Sequence, residues 1–150
     1  NNAINIHKVS ETLSPSDRFG YSFHGFSQGS VTWRQGKITT NRQYTINYMS
    51  DTTNGIQSSI SDVKLNIKVN GNLKDSYYME RIGSSIDDTY TFIFHDHPLE
   101  FSNGDEIIIY STAKDSRGFN FKWTFEHFRF NSDGHMESIE SNANYTTIIY

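Results

Sequence analysis

The chain is dominated by alternation of apolar and polar residues at every second position, a pattern that predicts β-strands. Convincing stretches with the 3.6-residue period of a helix do not occur. Clusters of small polar residues and glycine separate the alternating segments, as expected of turns. The predicted strands are 4–6, 19–24, 31–33, 37–39, 44–48, 63–69, 73–82, 90–95, 106–110, 119–125 and 145–150.

The strongest local signal is a hairpin. Val63, Leu65, Ile67 and Val69 face one way in the clearest strand, and the Val-Asn-Gly-Asn sequence of residues 69–72 follows directly. Asn and Gly both tolerate the positive φ that a type I′ turn requires. A two-residue hairpin loop is therefore predicted there, with LKDSYYMERI as a single return strand.

Many short strands without crossover helices favour an all-β fold, specifically an antiparallel β-sandwich that is Ig-like or jelly-roll-like. A closed barrel is the main alternative. Since domains commonly span about 100–200 residues, the 150 residues are predicted to form one module, residues 1–150. We expect this module to be a piece of a larger secreted protein.

The stretch FNFKWTF at residues 119–125 carries aromatic residues at its odd positions. It could be an exposed sugar-binding platform or the inner wall of the sandwich. An exposed aromatic face would turn Asn120 and Lys122 inward, at about 2 kcal/mol or more each if unpaired. The inner wall is therefore predicted, with a bulge near Glu126–His127 that keeps Phe128 and Phe130 inside.

Charge and cysteine content exclude several classes of protein. The net charge is -4, and the 13 lysines and arginines never form a run, so we expect no basic face that would recruit nucleic acid or a membrane surface. The absence of cysteine excludes disulfides, thiol nucleophiles and Cys-ligated zinc. No apolar stretch approaches the about 20 residues that span a bilayer, so membrane insertion is not expected.

Binding groups should then lie on loops and outward faces. Trp33 stands beside a glycine turn and could stack on a sugar, while Arg34 could donate in fork geometry to hydroxyl or acidic groups. A core-edge position is the alternative for Trp33. Of the adjacent residues Tyr77 and Tyr78, one should point inward and the other outward, and we take Tyr78 as the exposed candidate.

The sequence His95-Asp96-His97-Pro98 is the third candidate. Histidines two positions apart on a strand project to the same side, which suits a metal that prefers imidazole. Two histidines do not complete a site, so we assign these three residues to ligand binding in a loop and predict no bound metal.

Carboxylates and amides in turns are a weaker signal. Asp87, Asp88, Asn103 and Asp105 could offer oxygen ligands to calcium, although their spacing does not match an EF-hand, and such residues are common in turns for backbone geometry. No other cofactor is expected. Without a GxSxG, an HExxH or a phosphate-binding glycine loop, the protein is predicted not to be an enzyme.

The segments IKVNGN and YTFIFHDHPLEFSNGDEIIIYSTAKDSRG resemble the C-terminal half of bacterial Ig-like surface modules. More narrowly, the combination of VNG, an aromatic strand, HPL and GDEI resembles mucin- or carbohydrate-binding modules attached to enhancin-type zinc metallopeptidases. The resemblance covers about residues 62–118.

The resemblance implies a secreted or cell-surface accessory module that brings an enzyme or adhesin to a glycoprotein such as mucin. Its partners would be a glycan or glycoprotein and other domains of the parent chain. The alternative is a structural or protein–protein adhesion domain of a bacterial surface protein.

Overall fold

The computed structural model of the protein describes residues 6–8, 21–50, 60–82, 87–116, 118, 120–139 and 145–149. The described residues form thirteen strands and no helix, and therefore none long and apolar enough to cross a membrane. The strands are β1 (Ile6–Lys8), β2 (Tyr21–Gln28), β3 (Gly36–Ile38), β4 (Gln43–Ser50), β5 (Ile60–Val69), β6 (Asn72–Tyr78), β7 (Glu80–Arg81), β8 (Asp87–Ile93), β9 (Leu99–Phe101), β10 (Glu106–Asp115), β11 (Asn120–Phe130), β12 (Met136–Ser138) and β13 (Tyr145–Ile149).

These strands form three antiparallel sheets. The large sheet has the order β1-β13-β11-β10-β5-β6, with β12 also paired to β11, and the small sheet has the order β2-β4-β8-β7. A two-stranded ribbon joins β3 to β9. The sheets do not close into a barrel, so the predicted β-sandwich is confirmed and the barrel alternative is wrong.

The core lies between the large and small sheets. The Tyr44 ring of β4 packs on Phe125 of β11, with centroids 5.1 Å apart, and Tyr77 of β6 stacks on Phe92 of β8 at 4.8 Å. These contacts join one sheet to the other. The side chains that are almost fully removed from water are Tyr44, Phe94, Phe121, Phe130, Ile46, Leu65, Ile67, Ile107, Ile109 and Thr124.

The aromatic face of β11 is the inner wall, as predicted. Phe121 is 1% exposed and Phe125 is 5% exposed, while Trp123 is partly buried against the core. Phe119 lies outside the described residues. The strand also contains a bulge, because Ile109 pairs with Glu126 whereas Tyr110 pairs with Thr124. The extra residue is thus Phe125, one position before the predicted bulge.

The bulge has the expected effect on the following residues. Phe128 and Phe130 are 2% and 0% exposed, so both rings remain inside although the alternation has slipped. Phe125 and Glu126 both point towards the small sheet, since the Phe125 ring and the Glu126 carboxylate each contact Tyr44. A bulge places two successive residues opposite one, which is how both reach the same partner.

The predicted hairpin is confirmed and its return strand is corrected. Asn70 and Gly71 have φ values of 51° and 84°, as a type I′ turn requires. The segment 73–82 is not one strand, because β6 ends at Tyr78 in the large sheet and β7 pairs with β8 in the small one. The chain changes sheets at the buried Met79.

Other predicted strands need smaller corrections. Residues 31–33 are not a strand, whereas 36–38 form β3. The pairing of β3 with β9 was not expected, because the two segments are far apart in sequence. Phe19, at the start of the predicted strand 19–24, lies outside the described residues.

A close contact between β2 and β11 requires a glycine. Gly25 is buried in β2, and a Cβ atom there would overlap the indole ring of Trp123. The Trp123 indole nitrogen is itself buried and has no hydrogen-bond partner among the described residues. The ring is thus held by packing against the glycine rather than by a polar contact.

We expect Gly25→Ala to lower the free energy of unfolding by about 2–3 kcal/mol, because a methyl group has no room beside the indole. Trp123→Phe removes the overlapping part of the ring. The double variant should therefore be more stable than the sum of the two single effects predicts. Urea unfolding of all four proteins measures this coupling, and strictly additive losses would contradict the contact.

Burial raises the pKa of Tyr44 and Tyr48, and in Tyr44 the nearby Glu126 carboxylate raises it further. The unfolded chain ionises these phenols near the ordinary value of about 10, whereas the folded chain keeps them protonated. Their contribution to stability is therefore complete below pH 10 and is lost as the pH rises above it.

Alkaline titration should consequently show two phases of tyrosine ionisation. The later phase, followed by absorbance near 295 nm, should coincide with loss of the far-ultraviolet circular dichroism of the folded protein. Complete ionisation of all nine tyrosines while the protein is still folded would contradict the burial of Tyr44 and Tyr48.

Candidate functional site

A polar groove runs along the loops on either side of β3. Its two hollows have volumes of about 460 and 270 Å³ and share Thr39 as a lining residue. We call this the loop groove. It is lined by Ser30, Val31, Thr32, Arg34, Lys37, Ile38, Thr39, Thr40, Asn41 and His95.

The lining of the loop groove is suited to hydrogen bonding. Arg34 and Lys37 are exposed cations at one end, and His95 lies at the other, where its Nδ1 atom is 2.9 Å from Asn41 Oδ1. Serine and threonine hydroxyl groups also line the two hollows, and no carboxylate is among the described residues that line them. Side-chain hydroxyl, amide and guanidinium groups are the usual partners of sugar hydroxyls and of acidic groups.

An ionic cluster of Arg42, Glu126 and Tyr44 fixes the loops that form the groove. Arg42 donates from Nη1 to the Gly29 carbonyl (2.6 Å) and from Nη2 to Ser27 Oγ (2.9 Å), which fixes the end of β2. Its backbone N–H donates to Thr40 Oγ1 at 3.0 Å. Arg42 therefore links the two loops that form the groove, through its side chain to residues 27–29 and through its backbone N–H to Thr40.

The same guanidinium is anchored to the large sheet through Glu126. Arg42 Nε and Nη2 lie 2.9 and 2.8 Å from Glu126 Oε2, and the Tyr44 hydroxyl donates to the same oxygen at 3.0 Å. Both charged side chains are 19% exposed. Burial lowers the pKa of Arg42, but Tyr44 and Glu126 outweigh it and the net shift is upward, so the guanidinium stays charged.

Trp33 and Arg34 have different environments. Trp33 is half-buried, and its ring packs on Phe128 and Phe101 with centroids 5.0 and 6.2 Å away. This is the core-edge position that was considered as the alternative for Trp33. Arg34, in contrast, is exposed and lines the loop groove. Trp33 is therefore a structural residue, whereas the Arg34 cation is available to a ligand in the groove.

The histidine segment is a turn rather than the end of a strand. β8 ends at Ile93 and the chain turns at His95 and Asp96, so the assignment of this segment to a loop is confirmed, whereas the predicted strand 90–95 ends two residues earlier than expected. His95 bonds to Asn41, whereas the His97 ring packs on Tyr77 at 4.5 Å. Asp96 is 86% exposed and its Oδ1 lies 3.7 Å from His95 Nε2.

Tyr78 lies away from the loop groove, on a second surface. As predicted, Tyr77 is turned towards the core and Tyr78 outward, with 69% exposure. Tyr78 borders a shallow apolar hollow at the edge of the sandwich, together with Glu80, Thr91, Phe92 and Ile93. We call this the edge hollow. The structure therefore does not bring Tyr78 together with Arg34 and His95.

The residues considered for calcium are occupied by other contacts. Asp105 Oδ1 accepts a hydrogen bond from Asn70 Nδ2 and its Oδ2 accepts one from the Ser102 N–H. Asn103 donates from Nδ2 to the Ser132 carbonyl.

Asp88 pairs with Arg81, and the side chain of Asp87 lies outside the described residues. Among the residues that the structure describes, no group of three or more histidines or carboxylates is placed to hold a metal.

Strand pairing creates a feature that the sequence did not reveal. Lys64, Lys68, Lys114 and Lys122 lie on three adjacent strands of the large sheet, on the side away from the core. We call this the lysine face. The sequence did not show this cluster, because residues up to 58 positions apart in sequence (122 − 64) become neighbours only through strand pairing.

Comparison of the chain with protein-family models, with curated proteins and with solved structures gives no match. The interpretation of these surfaces therefore rests on their own residues.

The ionic cluster gives a direct test of what holds the loop groove. We expect Glu126→Gln to lower the free energy of unfolding by about 2 kcal/mol, between the values for exposed and fully buried pairs, because Arg42 keeps its charge and loses its countercharge. Tyr44→Phe removes a hydroxyl that donates to Glu126 and accepts from Arg42 Nε at 3.3 Å, both neighbours keeping their charge partner, and should cost about 1 kcal/mol. Chemical unfolding measures both, and equal losses would contradict a charge-based role.

Proposed function

We propose that the protein is a non-catalytic binding module for a glycan or glycoprotein, with the loop groove as its binding site. The observation that carries the proposal is the composition of the groove. It joins the Arg34 cation to the Asn41–His95 pair through a row of hydroxyl side chains.

The fixed walls of the groove favour binding. Arg42 holds both loops in place, so little conformational entropy would be lost when a ligand orders them. A saccharide offers many hydroxyl groups in a fixed arrangement, which matches donors and acceptors spread along an open groove. The resemblance of residues 62–118 to mucin- or carbohydrate-binding modules favours the same class of ligand, and with it a secreted or cell-surface accessory module.

The groove also favours binding over catalysis. No carboxylate is among its lining residues, whereas glycoside hydrolysis commonly requires two carboxyl groups flanking the bond. His95 is paired with Asn41 rather than with a nucleophile. These contacts suit the binding of a ligand that is released without chemical change.

A second candidate function is supported by the edge hollow. Tyr78 is 69% exposed, and Ile82 and Ile93 are 58% and 43% exposed. Exposed apolar side chains near a hollow are typical of protein contacts. This surface favours the alternative of a protein–protein adhesion domain.

The loop groove predicts which variants lose glycan binding. Arg34→Ala combined with Asn41→Ala should weaken binding to immobilised mucin by about tenfold, because both hydrogen-bonding ends of the groove are removed. Arg81→Ala, an exposed arginine on β7, is the matched control and should bind as the unaltered protein does. Surface plasmon resonance measures the affinities, and circular dichroism confirms folding.

Removal of the glycans from mucin separates the two candidate functions. If binding persists on deglycosylated mucin and is lost in Tyr78→Ser with Ile93→Ser, the edge hollow binds protein and the glycan proposal is wrong. Unchanged mucin binding by the Arg34 and Asn41 variant would likewise exclude the loop groove.

A further inference from the structure

The outer side of the large sheet carries lysines in an ordered array around Tyr110. Lys64 and Lys122 are both paired with Thr112 from opposite sides, so they lie two strand spacings apart, about 10 Å. Lys68 follows Lys64 by four residues along β5, or about 13 Å. The ammonium groups of Lys68 and Lys122 lie 5.4 and 4.7 Å from the Tyr110 ring centroid.

Aromatic rings help to place these cations. The Lys64 ammonium lies 5.0 Å from the centroid of the exposed Tyr78 ring, in the geometry of a cation–π contact. Tyr110 is only 8% exposed beneath its two lysines. Such contacts orient a lysine without neutralising it, and within the described residues neither Lys64 nor Lys68 forms an ion pair.

Few acidic side chains offset the charge of the lysine face. Glu106 pairs with His127 at the far end of β10, where Arg129 lies opposite it in the strand register. Asp62 is exposed beside Lys64 and Lys114. The face therefore has an excess of positive charge, although the whole chain has a net charge of -4.

A second bulge opens a hollow at one end of this face. Lys64 pairs with Thr112 and Ser61 with Lys114, so Asp62 and Val63 lie opposite Ala113 alone. Asp62 has a φ of 53°, a left-handed conformation that Asp and Asn adopt more readily than most residues. The hollow has a volume of about 220 Å³ and is lined by Asp62, Lys64, Thr112, Ala113, Lys114 and Asn120.

We propose that the lysine face binds an anionic polysaccharide whose acidic groups are separated by neutral sugars, with the hollow between Lys64 and Lys114 receiving one acidic group. This surface shares no residue with the loop groove. The inference therefore goes beyond the glycan-binding role proposed above and does not depend on it.

The spacing of the lysines favours a polysaccharide over a nucleic acid. Each strand of a DNA duplex carries a phosphate about every 3.4 Å, so lysines whose strand positions lie about 10–13 Å apart are spaced at three to four times the phosphate repeat. Single-stranded nucleic acids are bound largely by stacking on exposed aromatic rings. On this face the Tyr110 ring is covered, and Tyr78 is the exposed ring among the described residues.

Hyaluronan, with one carboxylate per disaccharide, is the probe that tests the proposal, and carboxyl-reduced hyaluronan is the uncharged control polymer. We expect the protein to bind hyaluronan and not to bind the reduced polymer. The affinity for hyaluronan should fall as the NaCl concentration rises from about 50 to 200 mM. Calorimetry or biolayer interferometry measures the affinities.

Charge variants locate the binding to the lysine face. Lys64→Gln with Lys68→Gln should weaken hyaluronan binding by about tenfold and make the remaining affinity less dependent on salt, because two cations that pair with carboxylates are removed. Lys74→Gln with Arg81→Gln makes the same change in net charge elsewhere, since Lys74 reaches the Glu100 carbonyl and Arg81 lies in the small sheet. This control should leave binding unchanged.

A gain of affinity provides an independent check. Asp62→Asn removes the acidic group of the hollow while keeping a residue that accepts positive φ, and should strengthen hyaluronan binding by about twofold. If the Lys64 and Lys68 variant does not fold, Lys114→Gln with Lys122→Gln tests the same face from the neighbouring strands.

Three results would overturn the proposal. One is the absence of hyaluronan binding by the unaltered protein. The second is an equal loss of binding in the Lys74 and Arg81 control. The third is tighter binding of a 20-base-pair DNA duplex than of hyaluronan, lost in the same lysine variants, which would make the face a nucleic-acid surface. None of these outcomes bears on mucin binding by the loop groove.

Discussion

Burial of the aromatic side of β11 between the two sheets is the constraint on which the rest of the structure depends. Phe121, Trp123 and Phe125 fill the space against the small sheet, and Gly25 leaves room for the indole ring. The bulge at Phe125 then turns Glu126 inward as well. A carboxylate in this position requires a cation, and Arg42 supplies it.

The loop groove follows from that pairing. Arg42 is held in place by Glu126, and its remaining donors fix the Gly29 carbonyl and Ser27. The position of the loops that form the groove is thus set by a contact to the opposite sheet rather than by the loops themselves. The lysine face arises differently, because it consists of the side chains that remain outside once the alternate residues of β5, β10 and β11 are buried.

Local patterns predicted the elements that depend on local chemistry. The Asn70-Gly71 turn and the buried side of β5 were correctly expected, since each depends on neighbours in sequence. The slip in the phase of β11 was also visible, but the extra residue was placed one position too late, because nothing local to the strand shows that the Glu126 carboxylate pairs with Arg42 of the opposite sheet.

Features created by pairing between distant segments were missed. The β3–β9 ribbon, the crossing from β6 to β7 at Met79 and the lysine face all depend on which strands become neighbours. The predicted strand 90–95 extended two residues too far because alternation continues to His95, whereas the chain turns after Ile93, and the His95 and His97 rings have different partners. No local pattern in the sequence indicated that Arg42 and Glu126 form an ion pair.

The arrangement of strands also constrains how the chain can acquire its structure. β1 pairs with β13, so Ile6 meets Ile149, and Gly36 meets Phe101 in the ribbon. Pairings over such separations are slow to form, typically on the scale of milliseconds to seconds in all-β proteins. During synthesis β1 therefore has an unpaired edge until β13 emerges, and in that interval it is open to pairing with another chain.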